Sequence, residues 1–195
     1  MLRISAFPTA LVLSFFVLIA GVGTIVQAQD LQPMMIQATA MGTSTQLGKM
    51  VNINIHIDQF STQEDRKTLV DAFKSKGQDG LIDALEDMKG KGRLSTPYGV
   101  GNEVKFIIEL PPDKGRRHLR LVTNRRISFG ESYNSTRSRD YSVGAIDLFL
   151  TPNEKGSEGN ALPACKLTVN KKTQQIDVET YQNPWKLTNL IISKK

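Results

Sequence analysis

The chain has 195 residues, with 25 Lys and Arg against 19 Asp and Glu and a formal net charge of +6. Its only cysteine, Cys165, excludes an intrachain disulfide, so the fold must be stabilised by packing rather than by cross-links. The length is that of one ordinary domain with its own hydrophobic core, together with a short leader.

The first 28 residues have the organisation of a secretory signal peptide. Arg3 supplies a positive charge, a long apolar stretch follows, and the small residue Ala28 precedes the polar Gln29. The apolar stretch is barely long enough to span a bilayer and no basic cluster follows it, which favours cleavage over a membrane anchor. We therefore predict a signal peptide over 1–28 and a single exported β-rich domain over 29–195, soluble in the periplasm or outside the cell, with no transmembrane span after cleavage.

Two strands are predicted at the start of this domain. The first runs from Met34 to Met41. The second, Val51 to Asp58, alternates apolar and polar residues without exception, and successive side chains of a strand point to opposite faces. The pattern predicts a buried face that begins with Val51 and a solvent face that includes His56 and Asp58.

A helical hairpin is predicted near residues 62–89. Ser61 and Glu64 have the spacing of a capping box, which marks a helix start. Gly77 is placed to end the first helix in a left-handed conformation, and a second apolar stripe follows. We predict helices over 62–76 and 78–89, with their apolar stripes packed on a sheet.

The rest of the chain is predicted to be β-structure. Turn residues at 97–101, 111–113 and 152–160 separate the candidate strands, which are 91–96, 103–110, 117–124, 143–150, 164–170, 175–181 and 186–193. Short connections favour antiparallel pairing. The predicted fold class is therefore α+β, mostly antiparallel β, with about eight strands that form either a barrel or a sandwich.

No motif in the sequence specifies a reaction. There are only two histidines, His56 and His118, and there is no G-x-S-x-G elbow, phosphate-binding glycine loop or cluster with metal-ligand spacing. We predict no catalytic residue, no metal, no cofactor and no nucleic-acid partner. A hydrolase is the least favoured function, and it would require one histidine beside a carboxylate and a hydroxyl.

Basic side chains are concentrated in residues 114–139, which contain eight of them and a single acid, Glu131. Seven of the eight are arginines, whose planar fork suits carboxylates and phosphates. The predicted anion-binding residues are Arg116, Arg117, Arg120, Arg125, Arg126, Arg137 and Arg139. Strand alternation predicts that Arg116, His118 and Arg120 share one face. The alternative is ordinary solvated surface, with these arginines paired to the acids of the helical hairpin.

Several segments of the sequence resemble an uncharacterised family of small exported bacterial proteins. The segments are Phe60-Ser61-Thr62, Gly77-Gln78-Asp79-Gly80-Leu81, Gly92-Arg93-Leu94, Thr123-Asn124-Arg125-Arg126-Ile127-Ser128-Phe129 and Asp140-Tyr141-Ser142. The resemblance covers most of the chain after the leader and implies export. It brings no known activity, so no functional residue is assigned from it.

The predicted function is therefore a non-catalytic binding or structural role in the cell envelope or periplasm, with an anionic envelope component or a small ligand as partner. The alternative is a β-barrel that carries a small apolar ligand or lipid. A large apolar cavity would support that alternative, and an interior filled with side chains would weaken it.

Overall fold

The computed structural model describes residues 32–127, 141–170, 173–180 and 183–194. Residues Leu31–Lys195 form one compact unit. The helices and strands of the described ranges are β1 (Met34–Met41), β2 (Met50–Ile57), α1 (Gln63–Asp87), β3 (Gly92–Ser95), β4 (Asn102–Asp113), β5 (Arg116–Thr123), β6 (Val143–Leu150), β7 (Glu158–Val169), β8 (Ile176–Glu179) and β9 (Trp185–Lys194). A 3₁₀ turn, Ser44–Gln46, lies between β1 and β2.

Eight of these strands close into an antiparallel barrel. Strands β1 to β7 pair in sequence order, and β9 completes the ring by pairing with β7 on one side and β1 on the other. Strand β8 lies outside the ring and pairs with Lys166–Val169 of β7. Of the two predicted architectures, the barrel is therefore correct.

The barrel interior is filled with aliphatic side chains. Ile53, Ile55 and Ile57 of β2 are at most 1% exposed, as the alternation predicted, while Val51 at the start of that face is only partly buried. All eight barrel strands contribute to this core, for example through Ile36 of β1 and Trp185 of β9. Eight strands enclose a space just wide enough for such packing, so little room remains along the barrel axis.

The helix α1 covers one outer side of the barrel. Its buried residues Leu69, Val70, Leu81 and Leu85 belong to a second core, whose other members are Phe106, Ile108, Val122, Val143, Ala145, Leu162, Cys165, Leu167 and Ile176. Gly77 has non-helical angles (φ 64°, ψ −143°) and divides α1 into two helical stretches, as the sequence predicted. The two predicted helices are therefore present as the two stretches of α1, which join directly at Gly77.

The capping box of α1 lies one residue later than its spacing predicted. Thr62 Oγ1 accepts a hydrogen bond from the backbone N–H of Asp65 at 3.1 Å, and Asp65 Oδ2 accepts one from the N–H of Thr62 at 2.7 Å. Ser61 instead bonds to β4. Its hydroxyl accepts from the N–H of Ile107 at 2.9 Å, and its own N–H donates to the Ile107 carbonyl at 2.8 Å.

Two strand boundaries also differ from prediction. Strand β4 continues through Pro111 and Pro112, and the turn falls at Lys114 and Gly115, both with positive φ, as a two-residue hairpin favours. The pairing with β5 is irregular beyond Leu110, and this irregularity accommodates the two prolines. Strand β7 begins at Glu158, within the predicted loop 152–160. The loop was predicted from local polarity, which does not reveal the pairing of β7 with β6 and β9.

Candidate functional site

One end of the barrel carries the features that suit binding. Strand β1 ends and β2 begins at the pair Met41–Met50, β3 ends at Ser95, β4 begins at Asn102, and β5 ends at Thr123. Because the strands are antiparallel, the β1–β2 turn, the β3–β4 turn and the segment after β5 share this end. We call it the pocket end.

A pocket of about 300 Å³ opens at the pocket end. Its apolar floor is formed by Ile53, Leu94 and Ile127, which are each at most 4% exposed and belong to the barrel core. The volume is at the lower limit of ordinary small-molecule sites. The pocket is therefore a shallow opening above a filled core, and not a cavity that runs through the barrel.

The wall of the pocket is polar and contains two of the predicted arginines, Arg125 and Arg126. Asn102 is 8% exposed, and its Nδ2 donates to the carbonyls of Arg125 at 3.2 Å and Arg126 at 2.8 Å. Ser95 and Thr96 also line the pocket. The Asn102 bonds fix the backbone that carries the arginines against the start of β4.

A glycine is required where the β3–β4 turn meets this wall. Gly101 has a φ of +77°, and a Cβ placed on it would lie 2.1 Å from the carbonyl oxygen of Leu94. Only glycine adopts this conformation without strain and allows so close an approach. Its carbonyl accepts a hydrogen bond from Nη2 of Arg125 at 2.9 Å.

Both pocket arginines bond to backbone carbonyls in the described structure. Arg125 bonds to Gly101, and Nε of Arg126 donates to the carbonyl of Tyr141. A carbonyl does not neutralise a guanidinium, so the bond to Gly101 positions the positive charge of Arg125 at the pocket without cancelling it. Arg137 and Arg139, two further predicted anion-binding residues, lie outside the described residues.

The other three predicted arginines are paired with carboxylates. Arg116 bonds to Asp113 at 2.8 Å and to Glu158 at 2.7 Å, and its hydrogen bond lowers the pKa of the Glu158 carboxyl. Arg117 lies 3.0 Å from Glu109, and both side chains are largely buried. None of these acids belongs to α1, so the partners differ from those that the solvated-surface alternative named.

Arg120 makes a bidentate pair with Asp147: Nε donates to Oδ1 at 2.8 Å and Nη2 donates to Oδ2 at 3.0 Å. His118 lies beside this pair, with Nε2 at 3.4 Å from Asp147 Oδ1 and its ring stacked on Phe149 at a centroid distance of 4.5 Å. Arg116, His118 and Arg120 do share one face of β5, as predicted. Both Asp147 oxygens are bound by Arg120, and no hydroxyl of the described residues hydrogen-bonds to His118.

The remaining candidate groups occupy structural positions. His56 lies on the outer face of β2, between Met35 of β1 and Arg93 of β3. Cys165 is fully buried, and desolvation raises the pKa of its thiol to about 12, which suits a packing role and not a nucleophile.

Within the described ranges, no group of three or more His, Cys, Asp or Glu side chains is arranged to hold a metal ion. The same part of the chain contains no helix with the length and apolar character needed to cross a bilayer. Comparison with family models, curated proteins and solved structures finds no match to this chain. The resemblance to a family of exported proteins therefore stays a prediction.

Sequence reasoning found Arg125 and Arg126 but missed the groups that hold them. Gly99 and Gly101 were recognised only as turn residues. Asn102 gave no signal, because a polar residue beside a turn is ordinary and its partners lie more than twenty residues away.

Proposed function

We propose that this chain is an exported, non-catalytic binding protein whose pocket holds a small ligand with an anionic group and a short apolar part. The observation that carries the proposal is the pairing of an apolar floor with a basic wall in one opening. Ile53, Leu94 and Ile127 offer contact to the apolar part, while Arg125 and Arg126 offer charge to the anionic group.

The proposed anion site contains two of the seven arginines that the sequence predicted to bind anions. Arg116, Arg117 and Arg120 already bind carboxylates, and an external anion would have to displace those partners. Arg125 bonds to the Gly101 carbonyl and keeps its charge available, and Arg126 lines the same pocket. Charge-assisted hydrogen bonds from arginine are among the stronger polar contacts a small anion can make.

The size of the pocket limits the ligand class. A lipid carried inside the barrel would need a long apolar cavity, and the core side chains occupy that space. A short apolar group fits the opening of about 300 Å³. Of the two predicted functions, we therefore favour binding of a small anionic envelope component. The alternative, a β-barrel that carries an apolar ligand, remains a candidate only for a ligand small enough for this pocket.

Export is part of the proposal. It is supported by the charged start, apolar stretch and small-residue exit of residues 1–28 and by the resemblance to small exported bacterial proteins. An exported protein with a basic pocket wall meets phosphate and carboxylate groups of the envelope as its most abundant anions.

The experiment is calorimetric titration of the chain from Gln29 onward with hexyl phosphate, hexanol and inorganic phosphate. Hexyl phosphate should bind more tightly than either fragment, and Arg125→Ser with Arg126→Ser should weaken it at least tenfold, about 1.4 kcal/mol. The matched control is Arg116→Ser, which removes an arginine outside the pocket. Absence of hexyl phosphate binding, or an equal loss in the control, would contradict the proposal.

A further inference from the structure

Exposed apolar side chains are concentrated at the pocket end. Six large hydrophobic residues are exposed in the described part of the chain, and five of them lie in or beside the β1–β2 and β3–β4 turns. We call these five the apolar rim: Met41, Leu47, Met50, Tyr98 and Val100. The sixth, Ile191, lies on β9.

Three members of the apolar rim project far into solvent. Leu47 is 82% exposed, Val100 81% and Tyr98 103%, so these side chains make little contact with the rest of the protein. Because β2 pairs with β3, the two turns extend from neighbouring strands at the same end of the barrel. Exposed large apolar side chains concentrated at one end of a folded protein indicate an interaction site.

The charged side chains around the apolar rim are mainly basic. Residues 31–57 and 92–102 contain no Asp or Glu. Lys49 lies between two rim residues in sequence, Arg93 donates to the Val100 carbonyl at 2.9 Å, and Arg125 lines the pocket beside them. The nearest acid of the described residues, Glu103, lies opposite Arg93 on β4 and pairs with Lys105 at 3.1 Å. The described part of this surface is therefore apolar and mainly cationic.

We propose that the apolar rim docks the pocket end onto a membrane surface rich in anionic lipid. An interfacial layer accepts protruding apolar side chains without a matching cavity, and anionic headgroups complement the cations around them. Tyr98 suits such a layer because its ring is apolar and its hydroxyl is polar. A protein partner would instead need a surface complementary to each protruding side chain of the apolar rim. It would also need an acidic patch opposite Lys49, Arg93 and Arg125.

Docking in this orientation turns the pocket toward the lipid headgroups. The docking surface rests on the two turns and their cations, and it does not depend on which ligand the pocket binds. The two proposals can therefore fail separately, since rim residues Leu47 and Tyr98 do not line the pocket.

The test is co-sedimentation of the chain from Gln29 onward with phosphatidylglycerol vesicles and with phosphatidylcholine vesicles. Residues 1–28 are omitted because their apolar stretch would bind lipid by itself. The protein should sediment with phosphatidylglycerol vesicles at 0.1 M salt and less at 1 M, as the Debye length falls from about 10 to about 3 Å. Phosphatidylcholine vesicles should retain much less protein.

Matched variants separate the apolar and charged contributions. Leu47→Ser combined with Tyr98→Ser should lower the partition coefficient roughly tenfold or more. Ile191→Ser, which removes an exposed apolar residue elsewhere, should leave it unchanged. Arg125→Ser should reduce binding to phosphatidylglycerol about fivefold, and Lys76→Ser on α1 should have a much smaller effect. All these side chains are exposed, and thermal melting should confirm that the variants fold.

The proposal is overturned if the wild-type chain does not bind phosphatidylglycerol vesicles at low salt, or if the Leu47 and Tyr98 double variant binds as well as wild type. It is also overturned if that double variant abolishes a self-association seen by sedimentation velocity and leaves vesicle binding intact. That result would mean that a second copy of the chain covers the apolar rim. Hexyl phosphate titration of the same variant reports separately on the pocket.

Discussion

Arg125 Nη2 donates to the carbonyl of Gly101 at 2.9 Å, and this bond joins the segment after β5 to the β3–β4 turn. The arginine is thereby held at the wall of the pocket while its charge stays uncancelled. Arg120, on β5 itself, provides the contrast, because its Nε and Nη2 donate to Asp147 oxygens, at 2.8 and 3.0 Å. Arg125, whose partner is a carbonyl, is therefore a candidate binding group, and Arg120, whose partner is a carboxylate, has a structural role.

Gly101→Ala should destabilise the domain and distort the pocket. The residue has a φ of +77°, and the new Cβ would lie 2.1 Å from the Leu94 carbonyl oxygen. We expect a loss of about 2–4 kcal/mol in the free energy of unfolding, measured by urea denaturation. Gly115→Ala is the matched control, since Gly115 has the same φ but nothing within 4 Å of the new Cβ. This control should lose only about 1 kcal/mol of unfolding free energy. Equal losses in the two variants would contradict a role for the close approach of Gly101 to Leu94.

The alternation in β2 leads to a second prediction. Ile55 is fully buried in the barrel core, and its neighbour Asn54 faces outward. Ile55→Asp buries a carboxylate without a partner, at a cost on the order of several kcal/mol, and should prevent accumulation of folded protein. Asn54→Asp should melt within a few degrees of wild type. Equal tolerance of the two changes in thermal melting would contradict the observed strand orientation.

The start of α1 should make stability depend on pH. Partial burial raises the pKa of Asp65, but the Thr62 backbone hydrogen bond and the nearby Lys91 ammonium outweigh it, so the net pKa is lowered. A carboxyl with a lowered folded pKa stabilises the protein above its unfolded pKa, near 3.9, and loses that contribution as pH falls through the folded value. Asp65→Asn should therefore cost about 2 kcal/mol at neutral pH. The difference from wild type should shrink in acid.

The control for this prediction is Asp71→Asn. Asp71 pairs with Lys67 at 2.9 Å across an exposed i,i+4 spacing, with side chains 53% and 78% exposed. Such pairs contribute only about 0.5 kcal/mol or less. Denaturation at neutral and acidic pH measures both variants, and a pH-independent loss for Asp65→Asn would show that its charge is not involved.

Export predicts a defined mature terminus. Cleavage after Ala28 should give a chain that begins at Gln29, because this is the small-residue exit from the apolar stretch. N-terminal sequencing of protein recovered from an exporting host measures it. Recovery of intact Met1, or of protein that stays in the membrane after a carbonate wash, would argue against a cleaved signal peptide.

Local patterns predicted the elements whose burial is regular. Strand β2 follows from its alternation, and β6 (Val143–Leu150) was predicted with the same bounds. Closure of the barrel could not be predicted, because it depends on β9 pairing with β1 and β7 over long sequence separations. Alternation also fails inside β9. Asn189 has a positive φ, and the register shift there allows both Leu187 and Leu190 to be buried.

The candidate site was predictable only in part, for a related reason. The arginine-rich segment is visible in the sequence, but each arginine's role depends on its partner in space. Glu158, which binds Arg116, is 42 residues away from it. Asn102, which fixes Arg125 and Arg126, is more than twenty residues from both. No local pattern separates the arginines bound by carboxylates from those held by carbonyls.

The most direct test of the binding pocket is an NMR titration of ¹⁵N-labelled chain, from Gln29 onward, with hexyl phosphate. The account predicts saturable shifts of the amides of Gly101, Asn102 and Ile127 and of the Arg125 side chain. Amides around Arg116 and Arg120 should stay unchanged, because their guanidinium groups already bind carboxylates. Shifts confined to residues 116–120, or no saturable shift at all, would contradict a ligand site at the pocket end.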